Sequence, residues 1–203
     1  MKMKKFLKEN VILVIWGVIV LVLLINTLIP IGSPKENVAN KYTCNYKIAL
    51  KTKIESVDKN GNEVTIKGDN LFFTKVEDPL AMYDSNDKIV CKADDDFDFL
   101  TQNNHAISKN GKCLYIMEGN LKLFGDAYTI CDTNGNEVAT AKFSWLGKGE
   151  LKNNNNELLA QYNSRLGRRD YVVTIFEGNT MDVDAIQILF ASYASDNVAD
   201  STN

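Results

Sequence analysis

Imidazole is almost missing from this chain. One histidine, His105, stands among 203 residues, so any imidazole base would have to be that one. The four cysteines, Cys44, Cys91, Cys113 and Cys131, include no CxxC pair, so the usual zinc spacings are absent. There is no Gly-x-Ser-x-Gly elbow around a nucleophile. The short glycine stretches "GKGE" (147–150) and "GRRD" (167–170) lack the spacing of a phosphate loop. A basic excess is missing too. The net charge is -3, and four of the lysines crowd the first eight residues, so the remainder is more acidic still. A nucleic-acid binder would carry a basic face, and none is expected here. No catalytic residue, no cofactor and no metal site is predicted.

The longest stretch without charge is what the chain does have at its start. From Val11 to Ile31 no residue is charged. The run of about 20 residues is long enough to cross a hydrocarbon core as a helix. A cleaved leader has a shorter apolar region, of about 7–15 residues. No small-x-small site closes this run cleanly, and Cys44 lies too far on for lipoprotein processing. The expectation is a transmembrane helix at 11–31, after a basic segment at 1–10 and before a polar linker at 32–45. Lys2, Lys4, Lys5 and Lys8 precede the run more densely than Lys35, Lys41 and Lys47 follow it. That bias places the N-terminus inside and the main domain outside. The protein would then sit in the cell membrane as a single-pass protein, its first partner the bilayer. The Asn- and Lys-rich composition fits an AT-rich, bacterial genome.

Beyond the linker a turn signal repeats. "VDKNGNEV", "YDSNDKIV", "SKNGKCLY" and "CDTNGNEV" centre on Asn60, Asn86, Asn110 and Asn134. Asn-Gly between apolar runs is a strong hairpin signal and suggests type I′ turns. Later candidates are Asn153–Asn156 and Glu177–Asn179. The spacing accommodates two strands per unit, about a dozen antiparallel strands in all. "DYVVTIFEG", from Asp170, is apolar on consecutive residues, as a strand covered on both faces is.

"MDVDAIQILFASYAS", residues 181–195, is apolar on every side and too short for a bilayer. A closed barrel of about twelve strands is too wide for wall side chains alone to fill. The expectation is a mainly β fold: an antiparallel barrel at 46–195 enclosing this helix, with a polar tail at 196–203. Thr180 or Asp182 is placed to cap the helix. The cysteines are expected to be reduced core residues; two disulfides are the alternative.

The order of these pieces resembles the tubby C-terminal superfamily, most of all its LURP-one-related branch. The residues that carry the likeness are "LFFTK" at Leu71–Lys75, "YD" at Tyr83–Asp84, "YTICDTNGNEVATAK" at Tyr128–Lys142 and "DYVVTIFEGNTMDVDAIQILFASYA" at Asp170–Ala194. The resemblance implies a barrel closed on a C-terminal hydrophobic helix. Tubby domains bind phosphoinositides through basic residues, and no position here is matched to those. The palmitoylated cysteine run and C-terminal membrane segment of scramblase-like relatives are absent from the pattern. A leading transmembrane helix departs from the plant members of the branch.

Three functional readings remain. The first is a membrane-anchored, non-enzymatic barrel that serves as an interaction or envelope module. The second is a module for anionic lipid or a protein partner, using Lys142, Lys148, Lys152, Arg165, Arg168 and Arg169, which fall on adjoining predicted strands and turns. The third is an enzyme around His105 and the acidic run Asp94–Asp98. "DxNGNE" at Asp58–Glu63 and Asp132–Glu137 is read as a hairpin rather than a calcium loop, because Gly stands at the fourth position and not the sixth.

Overall fold

The structure is a computed structural model. It describes residues 15–17, 20–21, 37–47, 51–71, 79–96, 104–120, 126–144, 147–164 and 170–201. Twelve strands follow one another: β1 (Val38–Lys47), β2 (Lys51–Val57), β3 (Glu63–Leu71), β4 (Leu80–Tyr83), β5 (Ile89–Asp96), β6 (Asn104–Lys109), β7 (Lys112–Asn120), β8 (Ala127–Asp132), β9 (Glu137–Ser144), β10 (Lys148–Asn153), β11 (Leu158–Ser164) and β12 (Asp170–Phe176). One helix, α1 (Val183–Ser201), ends the described chain.

Each strand pairs antiparallel with the next, and β1 pairs with β12, so the sheet closes on itself as a barrel. Closure leaves no edge strand exposed. The reason is visible in single strands. In β2 the residues Thr52, Ile54 and Ser56 are buried between exposed or half-buried neighbours, the period-two pattern of a wall with one wet face. In β9 Ala139, Ala141 and Phe143 point inward in the same way. Every residue from Tyr171 to Phe176 is buried, as the unbroken apolar run anticipated.

Helix α1 fills the interior. Every residue from Ala185 to Ser195 is buried, with Ile186, Ile188, Leu189 and Phe190 fully so. At ~1.5–3 kcal/mol per large apolar side chain, these four contribute on the order of 10 kcal/mol. The wall makes room with small inward residues: Ala93, Ala139, Ala141 and Ala160 are all buried. Gly149 has a specific reason to be glycine. It lies opposite Phe143 in the ladder, and a Cβ there would come within 2.5 Å of the Phe143 ring. That ring stacks on Tyr193 of α1, with centroids 3.5 Å apart, and meets Phe190 edge-on.

Two boundaries differ from the sequence reading. β1 begins at Val38, inside the stretch read as linker, because "NKYTCNYK" alternates although five of its eight residues are polar. α1 runs to Ser201, past the expected end at 195. Of the uncharged run at 11–31, only Ile15–Gly17 and Val20–Leu21 are described; they are helical, and Ile15, Trp16, Val20 and Leu21 are exposed. The rest of that run lies outside the described residues. Among the described residues no helix is long and apolar enough to cross a membrane.

The turns also correct the expectation. Among the described residues the type I′ hairpin is found only at Asn110–Gly111, where both residues have positive φ and Lys109 pairs with Lys112. Four other hairpins share a different construction. In each, an Asp or Asn (Asp58, Asp84, Asp132, Asn153) opens the turn, and its Oδ1 accepts the backbone N–H groups two and four residues on. The residue three places on, Gly61, Asp87, Gly135 or Asn156, takes the positive φ. This is a right-handed turn closed by one left-handed residue, so Asn60 and Asn134 stay at negative φ.

Candidate functional site

Alternation of strand direction sorts the connections. The four Asx hairpins and the Asn110–Gly111 turn all lie at one mouth of the barrel, where β12 ends and β1 begins. We call this the hairpin mouth. The strand ends at the opposite mouth are joined by 48–50, 72–79, 97–103, 121–126, 145–147 and 165–169, of which only Pro79, Asp126 and Gly147 are described. By sequence these connections include Phe72, Phe73, Phe97, Phe99 and Phe124, of nine phenylalanines in the chain. The hairpin tips at the first mouth are polar throughout.

The lysine cluster expected from sequence falls partly into view. Lys142 and Lys148 are exposed and Lys152 half-buried on the outer wall of β9 and β10. Glu150 stands between them: it pairs with Lys142 in the ladder, and its Oε2 lies 2.7 Å from Lys152 Nζ. An exposed pair of this kind is worth at most about 1 kcal/mol, but it offsets the charge that Lys152 presents. Arg165, Arg168 and Arg169 lie outside the described residues. Ser164, which precedes them, donates its backbone N–H to Gly147, next to Lys148, at 2.7 Å.

The acidic candidates take other roles. Asp58 and Asp132 commit their carboxylates to their own turns. Hydrogen bonds from the side chains of Asn62 and Asn136, with backbone N–H groups beside them, hold both below the ordinary carboxylate value. A calcium ligand needs those oxygens facing outward, and here they face the turn. Asp94 points to solvent from β5. Phe97 interrupts the acidic run, and 97–98 lies outside the described residues. His105 is 3% exposed, on β6, with Asp95 and Met117 as its ladder partners. Among the described residues no group of three His, Cys, Asp or Glu side chains is placed to hold a metal.

Two clusters join residues far apart in the sequence, though the Asp182 cap within the first was expected. At the hairpin mouth Asp182 caps α1, its Oδ1 accepting from the N–H groups of Asp184 and Ala185. Lys109 Nζ reaches from β6 to Asp182 at 2.7 Å and Asp184 at 2.8 Å. Partial burial pulls the Lys109 ammonium down, but the two carboxylates outweigh it and raise its pKa above the usual lysine range. Inside the barrel, Gln187 donates to Ser56 Oγ, and Cys44 Sγ lies 3.4 Å from the same oxygen. Burial pushes the Cys44 thiol up to about 11. All four cysteines are free, three of them buried, as the core reading expected.

The comparisons add one fold. No family model matches the chain, and no curated protein does. Among solved structures, the X-ray structure of a protein from Arabidopsis thaliana is similar to it, with a TM-score of 0.52. The two are 13% identical, over 82% of this chain and 96% of that one. The likeness is one of fold.

Proposed function

We propose that the chain is a membrane-tethered barrel of the tubby and LURP-one kind, which acts without catalysis as an interaction or envelope module. What supports this reading is that the barrel is filled by its own helix. Ala185–Ser195 are buried on all sides, so the interior is taken up by the chain itself. The outer wall and the two mouths are left to meet a partner. The uncharged run at 11–31 would supply the tether.

A second reading is favoured by one observation, the shared outer face of Lys142, Lys148 and Lys152. Near anionic lipid each such charge contributes ~1 kcal/mol. The two readings separate in one experiment. Residues 35–203, which contain the whole barrel and α1, are mixed with phosphatidylserine vesicles at low salt and sedimented. The first reading expects the fragment in the supernatant. Co-sedimentation that is lost when the three lysines become alanine would establish the second and displace the first.

A further inference from the structure

The direction of the wall decides which mouth the N-terminal segment joins. β1 leaves the hairpin mouth at Val38, and at that mouth Glu177 donates its backbone N–H to Asn37 at 2.7 Å, which ties the start of β1 to the end of β12. Only residues 32–37 separate Ile31, the last residue of the uncharged run, from β1. A relaxed chain of that length spans roughly 14 Å. Stretched fully it reaches about 20–22 Å. The wall itself, from the length of strands such as β9 and an ordinary barrel tilt, is about 20 Å tall.

We propose that the hairpin mouth faces the bilayer that holds residues 11–31, and that the opposite mouth is turned away from it. The proposal rests on the reading of 11–31 as a membrane span. Inverting the barrel would demand an almost fully extended linker, at the cost of its conformational entropy. The rim that faces the bilayer carries Asp58, Asp84, Asp87, Asp132 and Glu157, against Lys59, Lys88 and Lys112. The first, second and fourth of these carboxylates are ordered by their own turns. The hairpin tips themselves are polar, with hydrogen-bonding groups committed to the turns, while Val57 and Ile89, at the strand ends beside two of them, are exposed large apolar residues. The rim therefore meets the headgroup layer with polar tips and two shallow apolar side chains.

The test is distance to the membrane surface. The full chain with Cys113→Ser, which removes the one cysteine that is not buried, is reconstituted in phosphatidylcholine vesicles carrying a headgroup-attached energy-transfer acceptor. A donor is placed at Asn134→Cys, a hairpin tip, or at Lys148→Cys, at the opposite mouth. Asn60→Cys and Lys51→Cys form a second pair, so that one misfolded variant does not decide the matter. Severalfold stronger transfer from the hairpin positions is expected. Equal transfer would mean that the barrel lies on its flank, and stronger transfer from Lys148→Cys and Lys51→Cys that it is inverted; either overturns the proposal. Vesicle flotation scores the tether separately. A chain that fails to float, or that floats equally well without residues 11–31, removes the membrane-span reading and the proposal with it.

Discussion

Gly149 and Phe143 occupy opposite places in one ladder, and only the absence of a Cβ lets the ring lie where it does. Gly149→Ala should destabilise the fold by about 1–3 kcal/mol, the usual range for overpacking a core. Chemical denaturation would read it, and an unchanged midpoint would refute the packing account. The buried thiols set a second expectation. Burial raises Cys44 to about 11 and Cys91 to about 12, from an ordinary 9.0. A folded value above the unfolded one means that the stabilisation is complete below pH 9. It is lost as pH climbs from 9 through the folded values, because the unfolded chain ionises first. The melting temperature should therefore fall between pH 9 and 11. A flat profile would show the thiols to be solvated. At the residue scale the sequence was least informative where partners are distant in the chain. Nothing near Lys109 announces that it meets Asp182 and Asp184, since only barrel closure brings them together.

At the scale of elements, the hairpins and the helix were legible in kind. The turn centres from Asn60 to Asn153–Asn156 were placed correctly, but Glu177–Asn179 joins β12 to α1 and is no hairpin, and the type was wrong at Asn60 and Asn134. The Asp two residues before each Asn carries the missing information: its carboxylate gathers two N–H groups and makes the ordinary right-handed turn the better one. Asp132→Ala should lower the melting temperature modestly, while Asp132→Asn, which keeps Oδ1, should hold it near the parent value. Equal loss in both would mean that charge, not the turn, matters. For α1, the uniform apolar surface pointed to burial, and the strand count pointed to a cavity that needed filling. Phe190, fully buried between Phe143 and Tyr162, should cost about 3–5 kcal/mol as Phe190→Ala. Deleting residues 181–203 should leave no cooperative unfolding transition. A truncated barrel that still melts sharply would show that the wall stands without its filling. β1 was read too short because its outward positions, Lys41, Thr43 and Asn45 among them, are polar and mask the alternation beneath.

For the whole molecule, if 11–31 spans a membrane as proposed, the lysine bias at the N-terminus predicts which side bears the barrel. A cysteine added after Asn203 and probed with an impermeant thiol reagent in intact cells should label, if that bias orients the span. Protection in intact cells, with labelling after lysis, would place the barrel against the inner leaflet and make lipid binding the leading function. Cys44, Cys91 and Cys131 are buried, and with Cys113, the half-buried one, replaced by serine the background is silent.

Closure through β1 and β12 has a consequence for how the protein is made. The first strand to emerge during synthesis waits for the last one, and the filling arrives later still. Until residue 170 has left the ribosome, the growing wall has two unpaired edges and no core. Refolding of the finished chain should accordingly be slow, since its decisive contacts join the two ends of the domain. During synthesis the nascent wall is a client for whatever shields unpaired strands.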